Sequence, residues 1–160
     1  MLGGVSTVCH KKHLQSSDSL NQNKHILYLD ITNLYGKAMT FKLPSGDFEE
    51  IEDFNQEDIQ KILGSRDIKD QSFDEIFEMQ EDFGYVLEVD LIYPKELFEL
   101  HIGLPLAPEH LFEKLIPSLR DRYDYKIHYT TLKVYMKLGL VLNKVHKIYR
   151  FKQSFCIFSF

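Results

Sequence analysis

Residues 83–94 read Phe-Gly-Tyr-Val-Leu-Glu-Val-Asp-Leu-Ile-Tyr-Pro, with Tyr85, Leu87, Val89, Leu91 and Tyr93 alternating with Val86, Glu88, Asp90 and Ile92. Successive side chains of a strand point to opposite faces, so this run predicts a strand with one wholly apolar face. Pro94, which cannot donate to a ladder, closes it. Glu88 and Asp90 on the other face could form a carboxylate pair, but periodicity alone favours ordinary solvent-facing acids on an edge strand. A second run, KHILYLDI (residues 24–31), is short, apolar and rich in strand formers, which predicts a buried strand whose carboxyl end carries Asp30. In α/β folds ligand chemistry gathers at such strand ends. An acid there also serves simply to cap the helix that follows.

The remaining segments supply helices and turns. Thr32 and Asn33 offer N-caps for a short helix through LYGKAM (34–39), weakened by Gly36. Pro44, Ser45 and Gly46 predict a turn, and Asn55 caps a helix that Gly64 ends. Phe73, Ile76, Phe77 and Met79 have near-helical spacing within a stretch that reads equally as an acidic loop. After an extended connection through Pro105 and Pro108, Thr130 or Thr131 starts a helix with a stripe of Leu132, Tyr135, Met136 and Leu138, and Gly139 provides its left-handed stop. Residues 140–153 then alternate as a strand, with His146, Ile148, Arg150 and Lys152 on one mainly basic face and Val145, Lys147, Tyr149 and Phe151 on the other. Strands and helices in this order predict an α/β fold.

A chain of 160 residues buries enough surface for one domain. No apolar run approaches the ~20 residues of a membrane helix, the start lacks a secretory layout, and two distant cysteines, Cys9 and Cys156, make no disulfide framework. These features predict an intracellular, reducing environment. Charge is strongly segregated: residues 1–43 carry five Lys/Arg and two Asp/Glu, residues 44–110 four and nineteen, residues 111–160 ten and three. A polyanion would meet the two ends and be repelled by the middle, and solvated faces of different charge explain the same pattern. Cys9, His10 and His13 lack the second ligand pair of a structural zinc site. No phosphate-cradling glycine loop or nucleophile elbow occurs.

The stretch YLDITNLYGKAM (28–39) resembles motif A of family B DNA polymerases, and its Asn-Leu-Tyr-Gly form resembles the protein-primed branch found in Maverick/Polinton mobile elements. LGGVS (2–6), LPSGDF (43–48), GYVLEVDLIYP (84–94), PLAPE (105–109) and residues 119–154 follow the order and approximate spacing of the same polymerases. The resemblance implies a partial palm, a mixed or antiparallel sheet with packed helices, in one partial domain. Residues 1–43 would hold the template-contact segment and motif A, 44–110 an acidic insertion, and 111–160 a basic helix-strand segment. It implies a DNA-directed DNA polymerase that transfers nucleotides to a primer or protein hydroxyl with two magnesium ions. Asp30 would be catalytic and bind Mg2+ together with the Ile31 carbonyl, while Asn33, Leu34, Tyr35 and Gly36 would meet the nucleotide. Gly3, Gly4, Lys144, His146, Lys147, Arg150 and Lys152 would contact DNA. Implied partners are the DNA template and primer, deoxynucleoside triphosphates and a terminal priming protein, with no membrane. The family's lysine-bearing motif B and Asp-Thr-Asp motif C do not occur in the chain, and SFCIFSF departs from the family's continuation, so this fragment is expected to be inactive alone. A non-catalytic DNA- or protein-binding remnant of a mobile element is the second expectation, and a degenerate product without a stable fold the third.

Overall fold

A computed structural model describes residues 28–64, 68–78, 81–111 and 114–155. The glycine pair Gly3 and Gly4, the Cys9, His10 and His13 group, Met79, Cys156 and the first part of the 24–31 run lie outside them. The fold is mixed α/β. Four strands, β1 (Lys42–Ile51), β2 (Phe83–Ile92), β5 (Arg122–His128) and β6 (Val141–Phe155), form one antiparallel sheet in the order β1-β6-β2-β5. Two short strands, β3 (Glu109–Leu111) and β4 (Lys114–Ile116), make a separate antiparallel pair. The helices are α1 (Leu34–Met39), α2 (Gln56–Leu63), α3 (Phe73–Glu78), α4 (Phe98–His101) and α5 (Tyr129–Lys137).

The alternation of residues 85–93 is realised on β2, an interior strand. Leu87, Val89 and Leu91 are fully buried and join Ile127 of β5, Ile148 of β6, Leu132 of α5 and Ile59, Ile62 and Leu63 of α2 in one core on one side of the sheet. The local signals for the covering helices hold. Asn55 Oδ1 accepts the Asp58 N–H at 3.0 Å while Asp58 Oδ2 accepts the Asn55 N–H at 3.1 Å, a complete capping box, and Gly64 is the C-cap. The stretch after Gln71 is helical rather than a loop, with the Ser72 hydroxyl and Glu75 carboxylate exchanging the equivalent pair of bonds. Gly139 has φ 104°, the left-handed value its place after α5 requires.

Four expectations need correction. Glu88 and Asp90 are on an interior strand, since β2 is paired on both sides, and not on an edge. The Pro44-Ser45-Gly46 turn is a stretch of β1 whose register against β6 shifts twice, between Pro44 and Gly46 and between Gly46 and Glu49. β1 is an edge strand, where proline removes no essential ladder bond. The strict alternation expected of residues 140–153 fails at His146: its register against β2 shifts there, so that Val145 packs on the core and Ile148 lies within it. An extra residue in a bulge resets which side faces inward. Finally, residues 28–31 form no strand, and Tyr28, Leu29 and Ile31 are 90%, 79% and 67% exposed. A strand is stabilised by its neighbours, and none of the described strands pairs with this run, so apolar composition alone does not bury it.

Leu132→Ala should therefore cost about 2–5 kcal/mol in urea unfolding, as a buried leucine held between helix and sheet, while Leu29→Ala should change stability by less than about 0.5 kcal/mol. A large loss from Leu29→Ala would show that the 24–31 run is buried after all.

Candidate functional site

Asp30 lies in an exposed turn leading into α1. Its Oδ1 accepts the N–H of Ile31 at 3.0 Å. Asn33, the N-cap of α1, adopts a left-handed conformation (φ 59°) with no side-chain cap bond, and its carbonyl accepts the Lys37 N–H at 3.0 Å. The Asn33 amide is folded over Gly36, so that a Cβ there would come within 2.3 Å of its Oδ1 unless the Asn33 side chain turned away. Tyr35 is 83% exposed, and Leu34 is exposed beside it. The structure thus brings Asp30, Ile31, Asn33, Leu34, Tyr35 and Gly36 together by sequence on one open turn and short helix. Among the described residues, Asp30 is not part of a cluster of three metal-donor side chains.

The basic residues of β6 meet acids. Arg150 Nη2 pairs with Glu49 at 2.5 Å and Lys147 Nζ with Glu50 at 3.3 Å, both across the ladder to β1. Glu88 stands opposite Lys147 on β6 and Lys126 on β5, with Lys126 Nζ 3.8 Å away. Lys126, Glu88, Lys147 and Glu50 therefore form a row of alternating charge across all four strands, on the side away from the helices. Lys144 is exposed opposite Asp90, and Lys152 is exposed near the end of β6. The segregation of charge along the chain is converted by the sheet into complementary neighbours, and a polyanion approaching β6 has to compete with carboxylates already in place.

Three metal-donor side chains converge where two bulges flank one residue. Asp90 of β2 is 9% exposed; its register against both β5 and β6 shifts beside it, which turns Asp124 and His146 toward it from either side. Asp90 Oδ1 accepts the Asp124 N–H at 3.1 Å and lies 2.8 Å from His146 Nε2, which is 3.6 Å from Asp124 Oδ1. Asp124 itself has φ 51°, a left-handed value at the bulge. The Asp124 N–H, and then the His146 imidazole, hold the Asp90 carboxyl below the usual carboxylate range. One imidazole nitrogen beside two carboxylates suits zinc or manganese better than magnesium, which favours an all-oxygen shell. Sequence reading placed His146 on a basic face and Asp90 among solvent acids. Asp124, 34 positions from Asp90, was not singled out, and only the sheet's register joins the three.

Among the described residues, no helix is long and apolar enough to cross a membrane. Comparison with protein-family models, with curated proteins and with solved structures finds no match to this chain.

The lowered proton affinity of Asp90 has a defined sign. Its carboxylate form stabilises the fold above the unfolded value near about pH 4, and that contribution is lost as pH falls through the folded value. Asp90→Asn should lower the melting temperature at neutral pH and give a shallower decline in acid. Parallel acid limbs for the two proteins in pH-dependent melting would show that Asp90 is not engaged as described.

Proposed function

We propose that this chain is part of the palm of a protein-primed family B DNA polymerase. The observation that carries the reading is the ordered series of motifs: its later members, residues 84–94 and 119–154, include the paired strands β2, β5 and β6, and α5. An antiparallel sheet with helices packed on one face is the architecture that resemblance implies. In the whole enzyme a primer or protein hydroxyl attacks the α-phosphorus of a deoxynucleoside triphosphate, the bond to the β-phosphate breaks, and pyrophosphate leaves as the hydroxyl gives up its proton. Magnesium ions would supply charge neutralisation for that transfer.

In this reading the Asp30 carboxylate and the Ile31 carbonyl offer hard oxygen donors, Tyr35 packs beneath the sugar, and Asn33, Leu34 and Gly36 shape the turn near the triphosphate. Lys144, His146, Lys147, Arg150 and Lys152 lie on one strand for contact with DNA, alongside the acids of β1 and β2. A two-metal site needs at least a second carboxylate, and one exposed aspartate does not make it. The 160-residue chain by itself therefore transfers no nucleotide. The exposed apolar surface at Tyr28, Leu29, Ile31 and Leu34 favours, as a second reading, a remnant that binds another protein.

The purified chain should give no primer extension with magnesium and all four nucleotides. It should still be labelled weakly by a photoreactive deoxynucleoside triphosphate within residues 28–39, in a manganese-dependent manner lost in Asp30→Asn and reduced in Tyr35→Ala. Metal-independent labelling, or labelling indifferent to Asp30→Asn, contradicts the nucleotide site. Robust extension abolished by Asp30→Asn contradicts the inactive-fragment reading.

A further inference from the structure

A cavity of about 810 Å³ opens on the helix-covered side of the sheet, beside α2 and α3. That volume is in the range of small-molecule sites. Its walls are apolar at Ile51, Ile62, Tyr85 and Ile148, and three cations line it: Lys61 from α2, which pairs with Asp58 at 3.4 Å, Lys133 from α5 and Arg150 from β6. Lys133 is only 9% exposed, and its ammonium stands 5.2 Å above the Tyr129 ring with neither a hydrogen-bond nor a carboxylate partner among the described residues. Arg150 gives one end of its guanidinium to Glu49 and rests on the Phe83 ring, leaving its Nε shielded from water and without a partner. Tyr85 also lines the cavity: Arg150 is directly across the ladder from it, and its ring meets the Tyr129 ring edge-on at 5.9 Å.

A charge withdrawn from water without a counter-ion is costly, and the ammonium of Lys133, on a side chain only 9% exposed, calls for one. Among the described residues, the acids around the cavity do not provide it. Asp53, Glu75 and Glu81 are exposed at its edge, Asp58 is half-buried and pairs with Lys61, and Asp58 and Glu75 already cap α2 and α3. Burial draws the Lys133 ammonium toward its neutral form, and the nearby Glu81 charge opposes this.

We infer that this cavity binds a small amphipathic anion, its carboxylate or phosphate head between Lys133 and Arg150 and its apolar body against Ile62 and Ile148. The inference does not depend on the polymerase reading, with which it shares only Arg150. Glu81, at the mouth, repels such a ligand and sets the selectivity against weakly held anions. Calorimetric titration of the 160-residue chain with phenyl phosphate, phenylacetate, inorganic phosphate and benzylamine tests it. Phenyl phosphate or phenylacetate should bind, and the stronger of the two identifies the head group. Inorganic phosphate should bind more weakly and benzylamine not at all. Lys133→Met, which keeps the apolar stem, should weaken the preferred anion about tenfold, and Glu81→Gln should tighten it severalfold. Absence of binding by either aromatic anion at about 10 mM, preference for benzylamine, or affinity unchanged by Lys133→Met overturns the inference. Should Lys133→Met fail to fold, Glu81→Gln at its exposed position decides: tighter binding supports the anion site, and unchanged or weaker binding overturns it.

Discussion

The alternating row Lys126, Glu88, Lys147 and Glu50 sets the register of the sheet on which everything else is built. A slip of one residue between β2 and β6 would exchange the two faces of β2, burying Glu88 and exposing Leu87 and Val89. It would also take Lys147 away from Glu88, leaving His146 or Ile148 opposite the acid. Each of these exposed pairs contributes at most about 1 kcal/mol, so the row specifies alignment more than it adds stability. The stabilising energy comes from the other face, where Leu87, Val89, Leu91, Ile148 and Leu132 leave water together.

That division of labour accounts for the distribution of charge along the chain. The acids of residues 44–110 and the bases of residues 111–160 are brought together by antiparallel pairing, so Lys147 and Arg150 of β6 and Lys126 of β5 are answered within the fold. Asp90 is where the pattern is broken by bulges on both neighbouring strands, and there the acid meets an imidazole and a backbone N–H as well as its ladder partner Lys144. Among the described residues, three cations line the cavity on the helix-covered side: Lys61, paired with Asp58, Lys133, and Arg150 with one nitrogen unpartnered. The turn bearing Asp30 stands apart from this sheet, exposed, and its proposed role in nucleotide transfer rests on the motif series rather than on a completed cluster of donors.

Much of the sheet was legible because the signals were local. The alternation of residues 85–93, the Asn55 cap and the glycine stop at Gly139 each follow from a few neighbouring residues, and each is present. Helix α5 starts at Tyr129 behind a His128 cap and not at Thr130 or Thr131. Of its expected stripe, Leu132, Tyr135 and Met136 pack on the core while Leu138 is the C-cap. What the sequence could not convey was non-local. β5 reads as a mixed run, Arg-Tyr-Asp-Tyr-Lys-Ile-His, whose alternation is broken at Asp124, and it becomes a strand through its pairing with β2. The 24–31 run shows the reverse error: strong strand composition without a described partner yields exposed chain over residues 28–31. The Asp90, Asp124 and His146 cluster and the Lys133 cavity depend on register and on helix placement, which no spacing rule encodes.

Amide hydrogen exchange followed residue by residue tests this architecture most directly. Slow exchange should be concentrated in β2, in the stretches of β5 and β6 that flank it, and in α5, while the amides of residues 28–33 exchange at rates near those of an open chain. Strong protection of residues 28–31 together with rapid exchange along β2 and β6 would contradict the account, placing the ordered core around Asp30 instead of around Asp90.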